Sequence, residues 1–468
     1  MLKDKVLNFI LVNKLIKHGD NVLLAVSGGV DSVALLYIFY ELASELEINL
    51  YVGHFDHEFR GRESKDDAVF VKKLCKKLSI PCTVGKKNIP RILKKTKSVS
   101  KQAISRELRY EFLINTANKY NCNILCTAHN LEDQTETFFL HLLRGTGLKG
   151  LTGIELNIQI REGISLIRPF LSVSRKEIEI YVKENNISFR QDSSNFTSYY
   201  LRNELRHNLL PILRKNYNPN IDMSIYKLCR ILSCENDYLD RIVQKKLDKI
   251  LEKRNNEFIV NTAFLKKLHP CLIRRIIRKI LLKLKGNLNA ITYKNIKDIE
   301  NLIYNYTGKK MESMGEFIVR NEYGKLIFGK RKENFSAYEY IIPVPSVTFL
   351  PLLGITLKIS LVKNIKKKLY YNNNKSAFFS FQELPESFIL RNRKNGDRFI
   401  PLGMKGSKKL KDFFIDIKIP VEERDRVPLL LYNNEIIWIT GYRQSEKYKV
   451  KDKNGFRVEV ELKKMVKK

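Results

Sequence analysis

The segment most capable of chemistry is a glycine-containing run, SGGVDS, between an apolar stretch, LLAV, and a helix-like stretch. Two glycines allow backbone N–H groups to approach an anion closely, and the start of a helix carries a partial positive charge. The run therefore predicts a phosphate-binding loop made of Ser27, Gly28, Gly29, Val30, Asp31 and Ser32. It has neither the lysine of a Walker A loop nor the G-x-G-x-x-G of a Rossmann turn, which excludes both loop types. The structural alternative is a tight strand-to-helix turn capped by Ser and Asp.

Two carboxylates, Asp133 and Glu136, lie three residues apart on a helix predicted to begin at Asn130. Residues at this spacing project from one face of a helix, so the pair can offer two acidic groups to one ligand. The alternatives for Asp133 are dipole compensation in the first helical turn and metal binding beside Asp31. Glu136 lies beyond the capping positions, which favours a binding role.

Arginine and histidine side chains form a second group of candidates. The planar guanidinium fork suits phosphoryl oxygens, so Arg109, with Arg106 nearby, is expected to stabilise charge on a phosphate under attack. A surface arginine on a basic helix is the alternative. His54, His57 and His129 lie at or near the ends of predicted strands, and no second set of metal ligands accompanies them. We expect them to contact a nucleotide or a base and to bind no metal.

Basic residues dominate the composition, because 85 Lys and Arg stand against 50 Asp and Glu, a formal net charge of +35. Such a surplus favours a polyanionic partner, first of all nucleic acid; compositional bias is the alternative. Two basic arrays fit phosphate contacts with RNA, and the second precedes an aromatic pair, Phe413–Phe414, suited to stacking on bases. The arrays are Arg202, Asn203 and Arg206, and Lys408, Lys409 and Lys411. A solvated basic face is the alternative for any single lysine.

The elements that must position these residues follow an alternating pattern. Strand-like runs (NVLLAV, INLYVGH, CTVG and NILCTAH) alternate with helical segments that begin near Asp31, Ser64, Lys101 and Asn130. This alternation predicts right-handed βαβ units and a doubly wound parallel α/β sheet. The glycine run follows the first strand, and an open α/β sheet binds its ligand beyond the carboxyl ends of its strands.

A chain of 468 residues is too long for one compact core. We predict an α/β domain over 1–218, a helical middle domain over 221–335 with a short β-like tail, and a small α+β or β-rich domain over 340–468. Ser174 and Glu177 have the spacing of a capping box. The seven cysteines form no C-x-x-C pair and fit reduced core thiols, and no apolar stretch is long enough for a membrane span. A cytoplasmic protein is expected.

These motifs resemble known families. SGGVDS resembles the PP-loop of the N-type ATP pyrophosphatases, and further motifs resemble those of the tRNA(Ile)-lysidine synthetase family, in order along the chain. They are GHFDHEFRG at 53–61, SRELRY at 105–110, TAHNLEDQTET at 127–137, RGTGLKGLTGI at 144–154, RPFL at 168–171, the run containing Asp192, Ser194 and Asn195, YLRNELR at 200–206, and RNRKNGDRFIPLGMKGSKKLKDFFIDIKIP at 391–420. The sequence departs from the family pattern at Asn130 and Glu132, where His and Asp are usual.

The resemblance implies a two-step ligation. ATP would activate the C2 carbonyl oxygen of the wobble cytidine in a CAU-anticodon tRNA(Ile), and L-lysine would then displace AMP through its ε-amine to form lysidine. The loop would bind pyrophosphate with Asp31 at Mg²⁺, Asp133 and Glu136 would bind lysine, and the two later domains would bind tRNA. No covalent enzyme nucleophile is needed. The oligomeric state stays open, with a homodimer as one option.

Two other interpretations remain. A tRNA thiolation enzyme would share the loop and the RNA substrate but use reactive cysteines, for which Cys122 and Cys126 are the nearest pair. A non-catalytic RNA-binding protein with a nucleotide-binding fold is the second interpretation. The presence of Asp31, Asp133 and Arg109 disfavours it.

Overall fold

The computed structural model describes residues 1–58, 62–90, 92, 101–190, 200–254, 256–304, 310–330, 336–362, 375–419, 421–450 and 456–464. Residues 59–61 of the GHFDHEFRG motif, and Asp192, Ser194 and Asn195, lie outside these ranges. The chain divides into two compact units, Met1–Arg241 and Ile242–Lys468. The boundaries proposed above for three domains stay a prediction.

The first unit is built on a six-stranded sheet with strand order β3-β2-β1-β4-β6-β5. All neighbouring strands are parallel except β5, which runs antiparallel to β6 at the edge. The strands are β1 Asn21–Ala25, β2 Asn49–Asp56, β3 Cys82–Lys86, β4 Ile124–Cys126, β5 Asn157–Arg161 and β6 Ile164–Ile167. The doubly wound parallel sheet predicted from the sequence is confirmed.

Helices cover both faces of this sheet because the strand side chains alternate between them. Val22 and Leu24 of β1 belong to one core with α1, α2, α3 and α7, whereas Leu23 belongs to a second core with α4. These helices are α1 Leu2–Val12, α2 Val30–Leu42, α3 Arg62–Lys77, α4 Lys101–Lys119 and α7 Arg175–Glu184. Two more, α5 Leu131–Leu143 and α6 Leu148–Leu151, follow β4.

The strand order reverses between β1 and β4, where β1 connects to β2 on one side and β4 lies on the other. Open α/β sheets bind ligands at such a point, beyond the carboxyl ends of the strands. The glycine run follows β1 and the TAHNLEDQTET motif follows β4. Both motifs therefore meet at this edge of the sheet.

The first unit ends in helices. Tyr200–Glu204 (α8) continues through a π-helical turn, Leu205–Leu209, into Leu210–Asn216 (α9), where Pro211 is tolerated near the start. The long helix α10, Ile221–Ile250, runs across the boundary between the units.

The second unit begins with helices packed on a five-stranded sheet of order β7-β8-β11-β10-β9. One apolar face of α12 buries Ile273, Ile276 and Ile280 against Leu326 and Phe328 of β11. The elements are β7 Glu252–Arg254, β8 Glu257–Asn261, α11 Thr262–Leu265, α12 Pro270–Lys285, α13 Tyr293–Tyr304, β9 Lys310–Met314, β10 Phe317–Glu322 and β11 Lys325–Lys330. The predicted β-like tail thus forms a hairpin in a larger sheet, because β8 pairs with β11 across the intervening helices.

The C-terminal part is β-rich, as the sequence predicts. Two antiparallel sheets have the orders β12-β16-β19-β20-β21 and β13-β14-β22-β15, and β17 pairs with β18. The strands are β12 Glu339–Pro343, β13 Ser346–Leu350, β14 Ile355–Leu361, β15 Ser376–Phe381, β16 Ser387–Arg391, β17 Arg398–Phe399, β18 Lys408–Lys409, β19 Leu429–Tyr432, β20 Glu435–Ile439, β21 Arg443–Gln444 and β22 Phe456–Lys464, with helices α14 Leu410–Asp416 and α15 Val421–Arg424.

One expectation for this part is wrong. Phe413 and Phe414 of α14 are buried, and they pack with Phe399, Leu429 and Ile439 in one apolar core. Burial of their apolar rings is favourable, so they stabilise the module and are not available to stack on RNA bases.

Candidate active site

The glycine run forms a closed loop around one hydroxyl group. The Ser32 Oγ atom accepts hydrogen bonds from the backbone N–H groups of Ser27 at 3.1 Å and Gly28 at 3.2 Å, and donates one to the Gly29 carbonyl at 2.9 Å. Gly28 has φ +100°, a conformation that favours glycine. Val30, buried, starts α2 directly after the loop. The two serines and the first glycine therefore fix the loop, and the second glycine caps the helix.

Asp31 lies in the first turn of α2. Its Oδ1 atom is buried and has no hydrogen-bond partner among the described residues. Burial raises the pKa of its carboxyl, the Arg175 guanidinium opposes this rise, and the Asp133 carboxylate adds to it. A buried carboxylate oxygen that lacks a donor is suited to bind a cation.

The donor set around Asp31 fits Mg²⁺ bound together with a substrate. Within the described part of the chain, no group of three or more His, Cys, Asp or Glu side chains could hold a metal ion. Mg²⁺ typically takes one or two carboxylates plus substrate phosphates and waters, rather than a cage of protein ligands. A single carboxylate beside a phosphate-binding loop meets that requirement.

Helix α5 places the second motif beside this loop. Its N-cap, Asn130, accepts a hydrogen bond from the Asp133 backbone N–H at 3.0 Å, and the Asp133 carboxylate accepts one from the Asn130 N–H at 3.1 Å. This is a capping box, so part of Asp133 serves the helix start. The Leu131 N–H donates to the Val173 carbonyl at 2.9 Å, which ties the start of α5 to the start of α7.

The acidic pair is bridged by two arginines from α8 and the π-helical turn. Arg202 donates through Nε to Glu136 at 2.7 Å and through Nη2 to Asp133 at 3.0 Å. Arg206 donates through Nε to the other Glu136 oxygen at 2.5 Å, and its Nη2 lies 3.8 Å from Asp133 Oδ1. The Glu136 side chain is only 1% exposed. The carboxylates therefore hold cationic groups, and the two arginines predicted to contact RNA face them.

The histidines of the site are neutral at physiological pH. His54 Nδ1 donates to the Val26 carbonyl at 2.9 Å, and burial lowers the pKa of its ring. His129 Nδ1 is 3.0 Å from Thr127 Oγ1. Burial, followed by the guanidinium groups of Arg168 and Arg109, lowers the pKa of His129 to about 3. A neutral imidazole can accept or donate a hydrogen bond to a base without adding charge.

Arg106, Arg109 and Arg168 create a positive field around His129. Among the described residues none of the three forms an ion pair with a carboxylate, and Arg106 and Arg109 lie 5.0 and 5.6 Å from the centroid of the Tyr110 ring. Burial lowers the pKa of Arg109, although a guanidinium stays charged in proteins. Arginines without carboxylate partners are suited to bind an anionic substrate.

Lys408 and Lys409 lie in the second unit, on the β18 strand before α14. Lys408 forms an ion pair with Asp416, and Lys409 is exposed. Lys411, on α14, is also exposed.

Two residues of the site were not predicted from the sequence. Arg175 opens α7, with Nη1 3.9 Å from Asp31 Oδ2, and Glu132 accepts a hydrogen bond from the Arg175 backbone N–H at 3.0 Å. The Ser174–Glu177 capping box that precedes this turn is confirmed. It locates the start of the helix but gives no indication that the helix points at Asp31.

The cysteines show no activated thiol near the loop. Cys122 and Cys126 are buried, and burial raises the pKa of Cys122 to about 12 and that of Cys126 well above its ordinary value. Reactive cysteines need an accessible thiolate. Cys122 and Cys126, the pair on which the thiolation interpretation depends, are therefore not suited to that chemistry. No helix among the described residues is long and apolar enough to cross a membrane.

Known proteins resemble this chain over most of its length. A model described as a PP-loop domain matches residues 3–213, and a model described as the TilS substrate C-terminal domain matches residues 388–460. The tRNA(Ile)-lysidine synthase of Caldanaerobacter subterraneus subsp. tengcongensis is 35% identical over 460 residues, 97% of this chain and 96% of that protein. The enzyme of the same name from Clostridium tetani is 36% identical over 466 residues, 98% of each.

Two solved structures resemble parts of the chain. The U34-tRNA thiolase NcsA from Methanococcus maripaludis, with its [4Fe-4S] cluster, has a TM-score of 0.43 and 19% identity, covering 49% of this chain and 78% of that one. A crystal structure of a TILS C-terminal domain has a TM-score of 0.25 and 26% identity, covering 28% of this chain and 100% of that one. The identity and coverage of the full-length relatives decide the assignment: this chain belongs to the tRNA(Ile)-lysidine synthase family.

Proposed function

We propose that this protein ligates L-lysine to C2 of the wobble cytidine of a CAU-anticodon tRNA(Ile), with ATP as the activating substrate and AMP and pyrophosphate as the other products. One observation carries the proposal. At the point where the strand order reverses, a phosphate-binding loop, arginines without carboxylate partners among the described residues, and a pair of carboxylates with Glu136 buried come together. Because tRNA is the proposed substrate, we expect the protein to act in the cytoplasm.

The loop and Asp31 would bind the pyrophosphate end of ATP. Backbone N–H groups of Ser27 and Gly28 donate to the Ser32 hydroxyl inside the loop, and this inward orientation supports an anion site there. Asp31 would hold Mg²⁺, which when bound neutralises charge on the phosphates. His54 and His129 would contact the nucleotide as neutral rings.

Arg109, with Arg106 beside it, would stabilise the α-phosphate as the C2 carbonyl oxygen of cytidine attacks it. The new P–O bond forms as the bond to pyrophosphate breaks, so negative charge accumulates on the leaving oxygen and the equatorial oxygens. A guanidinium fork that lacks a carboxylate partner can turn both donors to those oxygens. Arg109 is half-buried, so water screens this interaction less than it would at an exposed position.

Asp133 and Glu136 would bind the incoming lysine. A buried carboxylate needs a cationic partner, and in the present structure Arg202 and Arg206 supply it. A lysine ammonium group is the same kind of partner, so substrate would share or displace these guanidinium groups. The ε-amine would then attack C2 and AMP would leave, without a covalent intermediate on the enzyme. Buried Cys122 and Cys126 agree with this route.

Incorporation of radiolabelled lysine tests the proposal. A transcript of CAU-anticodon tRNA(Ile) should acquire label only with ATP and magnesium, and a transcript with G or U at the wobble position should acquire none. Pyrophosphate should be released in amounts equal to the lysine incorporated. Label from a sulfur donor instead of lysine, or tRNA binding without turnover, would overturn the proposal.

A further inference from the structure

Arg175 lies beside the proposed phosphate site but has no role in the chemistry proposed there. It is the first residue of α7, and its guanidinium Nη1 lies 3.9 Å from Asp31 Oδ2. Asp31 is the second residue of α2, and α2 begins directly after the glycines of the loop. The Arg175 guanidinium therefore lies beside the loop. The Arg175 side chain is 41% exposed, which leaves it room to change partners.

Two glutamates set the position of this guanidinium. Glu179, one turn along α7, accepts a hydrogen bond from Arg175 Nε at 3.0 Å. Glu132 of α5 accepts one from the Arg175 backbone N–H at 3.0 Å, across 43 residues of chain. A carboxylate on the first N–H of a helix stabilises the helix start, so Glu132 fixes where α7 begins relative to α5. The fixed helix start aims Arg175 at Asp31.

Asp31 and Glu179 both face the single guanidinium of Arg175, so this corner carries excess negative charge and favours a cation at Asp31. Arg175 faces Glu179 at hydrogen-bond distance but Asp31 only at 3.9 Å, too long for a hydrogen bond. Asp31 meanwhile has a buried oxygen without a donor among the described residues. When a cation takes Asp31, the guanidinium is left beside a phosphate-binding loop with its Nη donors available for anionic oxygens.

We infer that Arg175 binds the pyrophosphate end of ATP and that Glu132 is a positioning residue for it. This inference rests on the proposed function, in which the loop binds that end of ATP. It also gives Glu132 a role, although this position differs from the family pattern. The carboxylate is retained there, and the carboxylate is the group that the contact with Arg175 requires.

The test measures inorganic pyrophosphate and AMP binding to the full-length protein in magnesium buffer by titration calorimetry. Arg175→Gln should weaken pyrophosphate binding by about tenfold to a hundredfold, the effect of losing a charge-assisted hydrogen bond, and leave AMP binding within about twofold. Arg175→Lys should restore part of the pyrophosphate affinity, because the charge returns without the fork. Lys176→Gln, at the exposed next position of the same helix, is the matched control and should bind both ligands like wild type.

Glu132 is tested by the same two ligands. Glu132→Ala should weaken pyrophosphate binding while sparing AMP, and Glu132→Asp should recover it, because a carboxylate again faces the Arg175 N–H. If Glu132 had only a structural role, Glu132→Ala would lower the affinities for both ligands and the unfolding temperature together. That result would overturn the positioning role. Wild-type protein that fails to bind pyrophosphate would overturn the proposed function. Equal pyrophosphate binding by wild type and Arg175→Gln would overturn only the inference about Arg175.

Discussion

Glu136→Gln isolates the buried charge at the centre of the proposed lysine site. The substitution keeps the shape of the side chain and removes the charge that faces two guanidinium groups at 2.7 and 2.5 Å. Breaking a buried pair costs about 3 to 5 kcal/mol, and exposed pairs contribute about 1 kcal/mol or less. Glu136 is buried but Arg202 and Arg206 are 39% and 34% exposed, so we expect a local loss of about 2 kcal/mol in the segment that carries them.

Hydrogen–deuterium exchange of the intact protein measures this loss. Amides of α8, the π-helical turn and α9 should exchange about thirtyfold faster in Glu136→Gln, because their local opening becomes easier by about 2 kcal/mol. Glu204→Gln is the matched control, since Glu204 is exposed on α8 and should change exchange by less than about twofold. Unchanged exchange over this segment in Glu136→Gln would refute the claim that the ion pairs hold it.

The same variant separates a binding role from a structural one. The KM for lysine should rise by at least about thirtyfold, since truncating one partner of a buried charge pair costs about 2 to 5 kcal/mol, and the KM for ATP should not change. Parallel changes in both constants would show that Glu136 only shapes the site.

Three further results are expected. Lys409→Gln and Lys411→Gln should each weaken tRNA binding, reduce the slope of log K against log salt concentration by about one, and leave ATP binding unchanged. Filter binding at several salt concentrations measures the slope, and loss of ATP binding would contradict the domain assignment. Cys126→Ala should retain lysine incorporation within about twofold, because burial keeps that thiol protonated; loss of turnover with intact ATP binding would indicate thiol chemistry. His129→Gln should flatten the pH dependence of stability by about 1.2 kcal/mol per pH unit between about pH 6 and 5. The folded-state pKa of His129 is about 3, below the ordinary value of 6.5, so the unfolded chain takes up the proton first as the pH is lowered. The stability of the wild-type protein therefore decreases as the pH falls from about 6.5 towards 3. An unchanged slope in urea unfolding would contradict this.

The architecture of the first unit was predictable because its signals are local. Each predicted strand is a short apolar run, and the helices predicted near Asp31, Ser64, Lys101 and Asn130 begin at Val30, Arg62, Lys101 and Leu131. A parallel sheet buried on both faces requires such runs, and crossover helices must separate them. Strand pairing in the middle region was less predictable, since β8 joins β11 only after two long helices have intervened.

The site was predictable in its residues and less so in their contacts. The capping role of Asn130 and Asp133 has the same spacing as the Ser174–Glu177 box and could have been predicted from it. The partners of Glu136 could not, because Arg202 lies 66 residues further along the chain and a charge carries no information on its partner. The prediction that Arg202 and Arg206 contact RNA stays a prediction, now with their carboxylate partners identified.

Burial explains the one expectation that failed in the C-terminal module. Phe413 and Phe414 follow a lysine run, which resembles an RNA-binding surface in the sequence alone. On a helix, however, adjacent residues can both face a core when the apolar stripe is wide enough, and α14 buries Leu410 with this pair. Lys409 and Lys411 remain exposed, at the start of this short helix and on it.

Lysine incorporation into defined tRNA is the most direct test of the central claim. The intact protein, CAU-anticodon tRNA(Ile), ATP, magnesium and labelled L-lysine should give one lysine per tRNA at the wobble cytidine, with one AMP and one pyrophosphate released for each lysine. Omission of ATP should abolish the incorporation, and so should Asp31→Asn. Release of AMP and pyrophosphate without lysine on the wobble cytidine, or incorporation that persists in Asp31→Asn, would contradict this account.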